Sequence, residues 1–168
     1  IQDSILIGNL EFSNNQEKEI LVKKEKLSID DIFDLYFAAN AVISAQQIAA
    51  FKLRVNKVIE AYKEPSIQKQ KVDKQLKFLF KQVQSEFLKK YQLNNKFDDL
   101  CTSGEFNCVT ASALYAYILS KSDIPYFITE IPSHVYIILY PEKERIVLET
   151  TDASSGYMVY DSKFKKEY

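Results

Sequence analysis

Apolar residues recur at helical spacing after Ser28. They fall at Ile32, Leu35, Tyr36 and Ala39, which is the i, i+3, i+4, i+7 spacing of a helix with one buried face. Ser28 is a suitable N-cap, and acidic residues follow it in the first turn, where they stabilise the helix dipole. The pattern predicts an amphipathic helix that begins at this serine.

Two longer amphipathic helices are predicted next, from Ser44 to Lys63 and from Ser66 to Tyr91. Their apolar stripes are Ile48, Phe51, Val55, Val58 and Ile59, and then Val72, Leu76, Leu79, Val83 and Phe87. Residues 3–10 are predicted to form a short strand or apolar arm, and residues 11–27 a charged segment that is solvated from Glu17 to Lys26. We therefore expect residues 1–91 to form a mainly helical half whose role is packing.

The second half of the chain changes from helix to strand. Residues 107–120 are almost free of charged side chains, and such a helix is buried on most sides. Strands are predicted after it at Tyr126–Glu130, His134–Tyr140 and Arg145–Thr150. Helices followed by an antiparallel meander predict an α+β fold.

The length, net charge and ends of the chain limit which domains, partners and compartments are expected. The length suits one domain, residues 1–168, in which residues 92–168 follow the mainly helical half. There are 22 Lys and Arg against 23 Asp and Glu, a net charge of −1, which argues against a nucleic-acid partner. No apolar run predicts a membrane span, and no cofactor is expected. The start at Ile1 suggests trimming or processing, so no compartment is assigned, and the natural chain could continue past Tyr168.

Cys108 is the first candidate for chemistry. Asn107 is a suitable N-cap for the uncharged helix, which places Cys108 in the first turn. The helix dipole and the unpaired backbone N–H groups at that position favour a thiolate. The same N–H groups, with the Asn107 side chain, could stabilise an oxyanion. A buried cysteine can equally be a small hydrophobic residue.

His134 is the only histidine in the chain, and it opens an apolar strand. A lone histidine is more often a surface or structural residue than a catalyst. An imidazole is nevertheless the usual partner that keeps a nucleophilic thiolate charged at neutral pH. His134 is therefore the candidate general base for Cys108.

The register of the last hairpin decides which acid accompanies His134. With residues 141–144 as the loop, Glu149 lies diagonally from His134 on the same face, about 7–8 Å away. A loop one residue longer reverses the parity and brings Asp152 opposite the histidine. Glu149 and Asp152 are therefore alternative orienting carboxylates.

Four stretches in this order resemble the transglutaminase-like superfamily. They are GEFNCVTASALYAYIL at 104–119, SDIP at 122–125, SHVYI at 133–137 and VLETT at 147–151. The resemblance covers about residues 100–156. It implies a papain-like core, in which a buried helix headed by a cysteine packs against an antiparallel meander.

The resemblance also implies residue roles. Cys108 would be the nucleophile, His134 the general base, and Glu149 would stand where the family usually has Asp. Val109 and Tyr136 occupy positions where many members have Trp, which leaves the substrate class open. The implied reaction is acyl transfer on an amide of a protein or peptide through a thioester, as in a peptidase, amidase or transamidase.

Other interpretations are less well supported. A non-catalytic transglutaminase-like domain that binds a partner protein is the main alternative. The six-residue offset between Cys101 and Cys108 does not match a structural zinc site, so no metal is expected. A disulfide between these two cysteines would leave Cys108 without the free thiol that a nucleophile needs.

Overall fold

A computed structural model describes residues 11–12, 14–22, 26–38, 43–142 and 146–159. The predicted apolar arm at 3–10 lies outside this part of the chain. Helices within it are α1 (Asn15–Leu21), α2 (Ile29–Ala38), α3 (Ala45–Lys63), α4 (Pro65–Gln68), α5 (Val72–Phe87), α6 (Phe97–Thr102) and α7 (Cys108–Lys121). Strands are β1 (Lys90–Tyr91), β2 (Glu105–Phe106), β3 (Tyr126–Ile131), β4 (His134–Leu139), β5 (Ile146–Leu148) and β6 (Tyr157–Val159).

The larger sheet is an antiparallel meander in the order β3-β4-β5-β6. A second, two-stranded sheet pairs β1 with β2 in parallel, and α6 connects these two strands. Helices on an antiparallel sheet confirm the α+β class. The β4–β5 pairing of Leu139 with Ile146 is the register predicted for a loop of residues 141–144.

Helix α7 is the central helix, and its burial agrees with its lack of charge. Most of its side chains are buried, including fully covered Leu114, Tyr115 and Ile118. Asn107 caps its start by accepting a hydrogen bond from the Thr110 amide at 2.9 Å. The helix therefore begins where the sequence predicts, with Cys108 as its first residue.

Two side-chain contacts fix the direction of α7 on the meander. Near the helix start, Ser112 Oγ lies 3.3 Å from Thr150 Oγ1, just beyond the end of β5. Near the helix end, Ser120 Oγ lies 3.0 Å from the Tyr126 hydroxyl, at the start of β3. Because these contacts lie at opposite edges of the sheet, α7 runs parallel to β4, and both begin at the same edge.

The helical half differs from its prediction in three places. A helix, α1, lies within residues 11–27, for which no helix or strand is predicted. The buried face of α2 is formed by Phe33 and Phe37, whereas Ile32, Leu35 and Tyr36 are only partly buried. The helix predicted from Ser66 to Tyr91 is divided into α4, α5 and β1, and Val72 is 48% exposed at the start of α5.

The main apolar core contains residues of both halves. Phe33, Phe51 and Phe87 from the helical half belong to the same cluster as Tyr115 of α7 and Ile137 of β4. The stripe predicted for α3 is confirmed, with four of its members buried and Ile48 half-buried. None of the helices in the described ranges is both long enough and apolar enough to cross a membrane.

Candidate active site

The candidate site lies at the sheet edge where α7 and β4 begin and β5 ends. A two-residue turn, Pro132 and Ser133, connects β3 to β4 and places His134 first in the strand. Proline fixes φ near −65°, and Ser133 has a φ of 65°, a combination found in type II turns. The turn holds the histidine at the edge rather than in the middle of the sheet.

His134 and Glu149 are in direct contact. Nε2 of the imidazole lies 2.5 Å from Oε2 of the carboxylate. The Glu149 side chain is 8% exposed and that of His134 is 23% exposed, so water competes little for this contact. Since a carboxylate only accepts hydrogen bonds, the ring proton is on Nε2, and Nδ1 is the nitrogen that can take up a proton from elsewhere.

Asp152, the alternative acid, bonds to residues of its own turn. Its Oδ1 accepts hydrogen bonds from the amides of Ser154 and Ser155, both at 2.9 Å, and from the Ser154 hydroxyl at 2.8 Å. The Ser155 amide and the Ser154 hydroxyl lower the pKa of Asp152. Asp152 therefore shapes the turn that leads into β6, and Glu149 is the acid in contact with the histidine.

Cys108 is directed toward the same edge by its position on α7. Residues four apart lie on the same helix face, so Cys108 shares a face with Ser112, which contacts Thr150. The cysteine is buried, with 8% exposure, while the next residue, Val109, is 57% exposed. The helix start is therefore open to solvent at Val109, beside the buried side chain of Cys108.

The start of α7 also provides backbone donors. The Thr110 amide bonds the Asn107 side chain, and the Ala111 amide bonds the Asn107 carbonyl. Within the described ranges, this leaves the amides of Cys108 and Val109 as the two at the helix start without an acceptor. Such amides can stabilise negative charge on a sulfur or an oxyanion.

The Asn107 side chain, predicted as an oxyanion donor, bonds to the backbone on both of its polar atoms. Its Nδ2 donates to the carbonyls of Leu93 at 3.1 Å and Asn95 at 3.3 Å, while its Oδ1 caps α7. Both amide protons are thus used to fasten the 93–95 loop to the helix start. The predicted oxyanion role of this side chain stays a prediction, and in this conformation its two N–H groups are already bonded.

A buried polar group holds the segment after β5 in place. Gln84 of α5 donates from Nε2 to the Thr150 carbonyl at 2.8 Å, and Thr150 itself is fully buried. Ser112 contacts the hydroxyl of the same threonine. The sequence gives little sign of Gln84, because a polar residue on the buried face of a helix looks like an interruption of its apolar stripe.

Cys101 is the second thiol, and both cysteines are free. Burial, followed by the negative charge of Asp98, raises the pKa of Cys101 to about 12. Since the thiolate is the nucleophile, about 0.1% or less of Cys101 is reactive at pH 9. We expect iodoacetamide at pH 8 to add one carbamidomethyl group, on Cys108. Intact-mass spectrometry and a peptide map check this, and equal labelling of both cysteines would contradict it.

Known proteins add no further information about the site. Within the described residues, no group of three or more His, Cys, Asp or Glu side chains is placed to hold a metal ion. Comparison of the chain with protein-family models, curated proteins and solved structures finds no match.

Proposed function

We propose that the chain is a thiol-dependent acyl-transfer enzyme with a papain-like core of the transglutaminase-like type. The observation that carries the proposal is the 2.5 Å contact between His134 and Glu149 at the sheet edge where the helix headed by Cys108 begins. A buried acid on one ring nitrogen supports a general-base role for His134, because such an acid fixes the tautomer of the imidazole and stabilises the imidazolium.

The reaction begins with transfer of the Cys108 thiol proton to Nδ1 of His134. The thiolate attacks an amide carbonyl of a protein or peptide, and the oxygen of the tetrahedral intermediate lies at the amides of Cys108 and Val109. The imidazolium returns the proton to the leaving amine as the C–N bond breaks, which leaves a thioester on Cys108. Water then gives a carboxylic acid, or an amine gives a new amide, and the free thiol is restored.

Alkylation of Cys108 by iodoacetamide between pH 4 and pH 9 tests the proposal. A free thiol with a pKa of ~8.5 is only about 0.3% thiolate at pH 6. We expect rapid alkylation at pH 6 and a rate about a hundredfold lower in His134→Ala, because the thiolate then loses its imidazolium partner. Cys101→Ser is the background for every variant.

Two matched variants separate the acid from general charge effects. Glu149→Gln removes the carboxylate beside His134, and it should slow alkylation at pH 6. Glu130→Gln makes the same change on β3, where the acid is exposed, and it should leave the rate unchanged. If Cys108 alkylates like a free thiol, with or without His134, the proposal is refuted and the partner-binding alternative gains support.

A second assay addresses the acyl acceptor. Hydroxylamine intercepts a thioester as a hydroxamate, so hydroxamate formed from a glutamine-containing peptide would report acyl transfer directly. The Cys108→Ala chain is the control, because it cannot form the thioester.

A further inference from the structure

The carboxylate of Glu149 is held on both of its oxygens. Oε2 faces His134, while Oε1 accepts two hydrogen bonds from a single residue, Thr151, from the hydroxyl at 2.6 Å and from the amide at 3.2 Å. The hydroxyl and the amide of Thr151 thus fix the plane of the Glu149 carboxylate. A carboxylate held in this way cannot rotate without losing a bond at one oxygen.

Glutamate needs such a constraint more than aspartate does. It has one more rotatable bond than aspartate, so its carboxylate samples more orientations when it is held at one oxygen only. The Thr151 hydroxyl removes this freedom in the orientation that keeps Oε2 on the imidazole. Serine or threonine is required for this contact, because an apolar side chain of the same shape offers no donor.

Thr151 itself is held from outside the sheet. Thr151 lies in the turn that follows β5, whose last residue paired with β4 is Leu148. The preceding residue, Thr150, is bonded through its carbonyl to Gln84 and contacts Ser112 through its hydroxyl. The segment that carries Thr151 is therefore fastened to both α5 and α7.

We propose that Thr151 is a positioning residue, which holds Glu149 so that His134 keeps its proton on Nε2 and presents Nδ1 to the thiol. This role rests on the proposed function of His134 and Glu149. Thr151 touches neither the thiol nor the substrate. It acts through the carboxylate, by fixing the tautomer on which the transfer of the thiol proton depends.

The imidazole can be observed directly, because His134 is the only histidine among the 168 residues. In ¹⁵N-histidine-labelled protein carrying Cys108→Ala, which removes the thiolate that would keep the ring protonated on both nitrogens, we expect the ring signals at pH 8 to show the Nε2-protonated tautomer. In the same background, Thr151→Val removes the hydroxyl and keeps the shape, so it should give a mixture of tautomers. Thr151→Ser restores the hydroxyl, and its spectrum should match that of Cys108→Ala alone.

The rate of Cys108 alkylation provides the second readout. At pH 6 in the Cys101→Ser background, Thr151→Val should slow the reaction about tenfold, as expected for the loss of one hydrogen bond to a charged group. Thr151→Ser should react like the parent. Thr129→Val on β3 makes the same substitution away from the site, and it should change neither readout.

The outcomes separate this proposal from the one on which it rests. If the parent thiol reacts as a free cysteine, the proposed function fails, while the tautomer spectra still decide the role of Thr151. If Thr151→Val changes neither the spectrum nor the rate, the role of Thr151 is overturned and the proposed function stands. Should Thr151→Val not fold, Thr151→Ala replaces it with the same expectations.

Discussion

Replacement of Phe33 by alanine is expected to lower the free energy of unfolding by about 3–5 kcal/mol. The ring is 1% exposed and stacks on Tyr117 of α7, with centroids 3.8 Å apart and planes 9° apart. Edge contacts to Phe37 and Phe97 lie at 5.3 Å and 5.8 Å. Alanine leaves a cavity among rigid rings that cannot close around it, so the cost falls in the upper part of the range for core truncations.

Urea unfolding followed by circular dichroism measures this loss. Leu53→Ala is the control, because Leu53 is 58% exposed on α3 and its truncation should change the stability by about 0.5 kcal/mol or less. An equal effect of the two substitutions would show that Phe33 does not join the helical half to α7.

The face of α2 illustrates what the sequence could not determine. Ile32, Leu35 and Tyr36 have the right spacing for a buried stripe, but so do Phe33 and Phe37, because both faces of this helix are apolar. Which face of α2 is buried depends on which neighbouring segment packs against it. The ring of Tyr117 stacks on Phe33, and this contact joins residues that are far apart in the sequence.

The short elements β1, β2 and α1 are not predicted from the sequence, for a related reason. Strands β1 and β2 contain two residues each and pair in parallel across an intervening helix, so no alternation of apolar and polar residues marks them. Helix α1 is polar along most of its length, with only Ile20 buried. Such elements form through contacts with segments that are distant in the sequence, and a local pattern of apolar residues does not reveal these contacts.

The candidate site was more predictable, because its parts depend on local rules. A capping asparagine fixed the start of α7, and the length of one hairpin loop separated Glu149 from Asp152. What could not be predicted are contacts between distant segments. The hydrogen bonds from the Asn107 side-chain amide to the Leu93 and Asn95 carbonyls are the clearest example, because they occupy a donor that the sequence offers as a candidate for the oxyanion.

Gly156 links the stability of the fold to the geometry of the site. Its carbonyl accepts a hydrogen bond from the Glu149 amide at 2.7 Å, and its amide donates to the Asp152 carbonyl at 2.9 Å. A Cβ at this position would lie well inside contact distance of the carbonyl oxygens of both acids, and 3.0 Å from Cζ of Phe80. Only the absence of a side chain lets the turn approach the backbone of Glu149 this closely.

Gly156→Ala is therefore expected to destabilise the chain by about 3 kcal/mol and to slow alkylation of Cys108 at pH 6 as much as Glu149→Gln does. The cost is that of overpacking, at the upper end of its usual range because backbone carbonyls cannot rotate away as a flexible side chain can. Relief of the clash moves the Glu149 carbonyl, and the carboxylate that contacts His134 moves with it.

Thermal unfolding and the alkylation rate, measured on the same samples, check both effects. Ala153→Ser is the control, because Ala153 is exposed in the same turn and a hydroxyl there meets only solvent. A stable Gly156→Ala chain with the parent rate would contradict both effects. A destabilised chain with the parent rate would mean that the turn supports the fold without setting the position of Glu149.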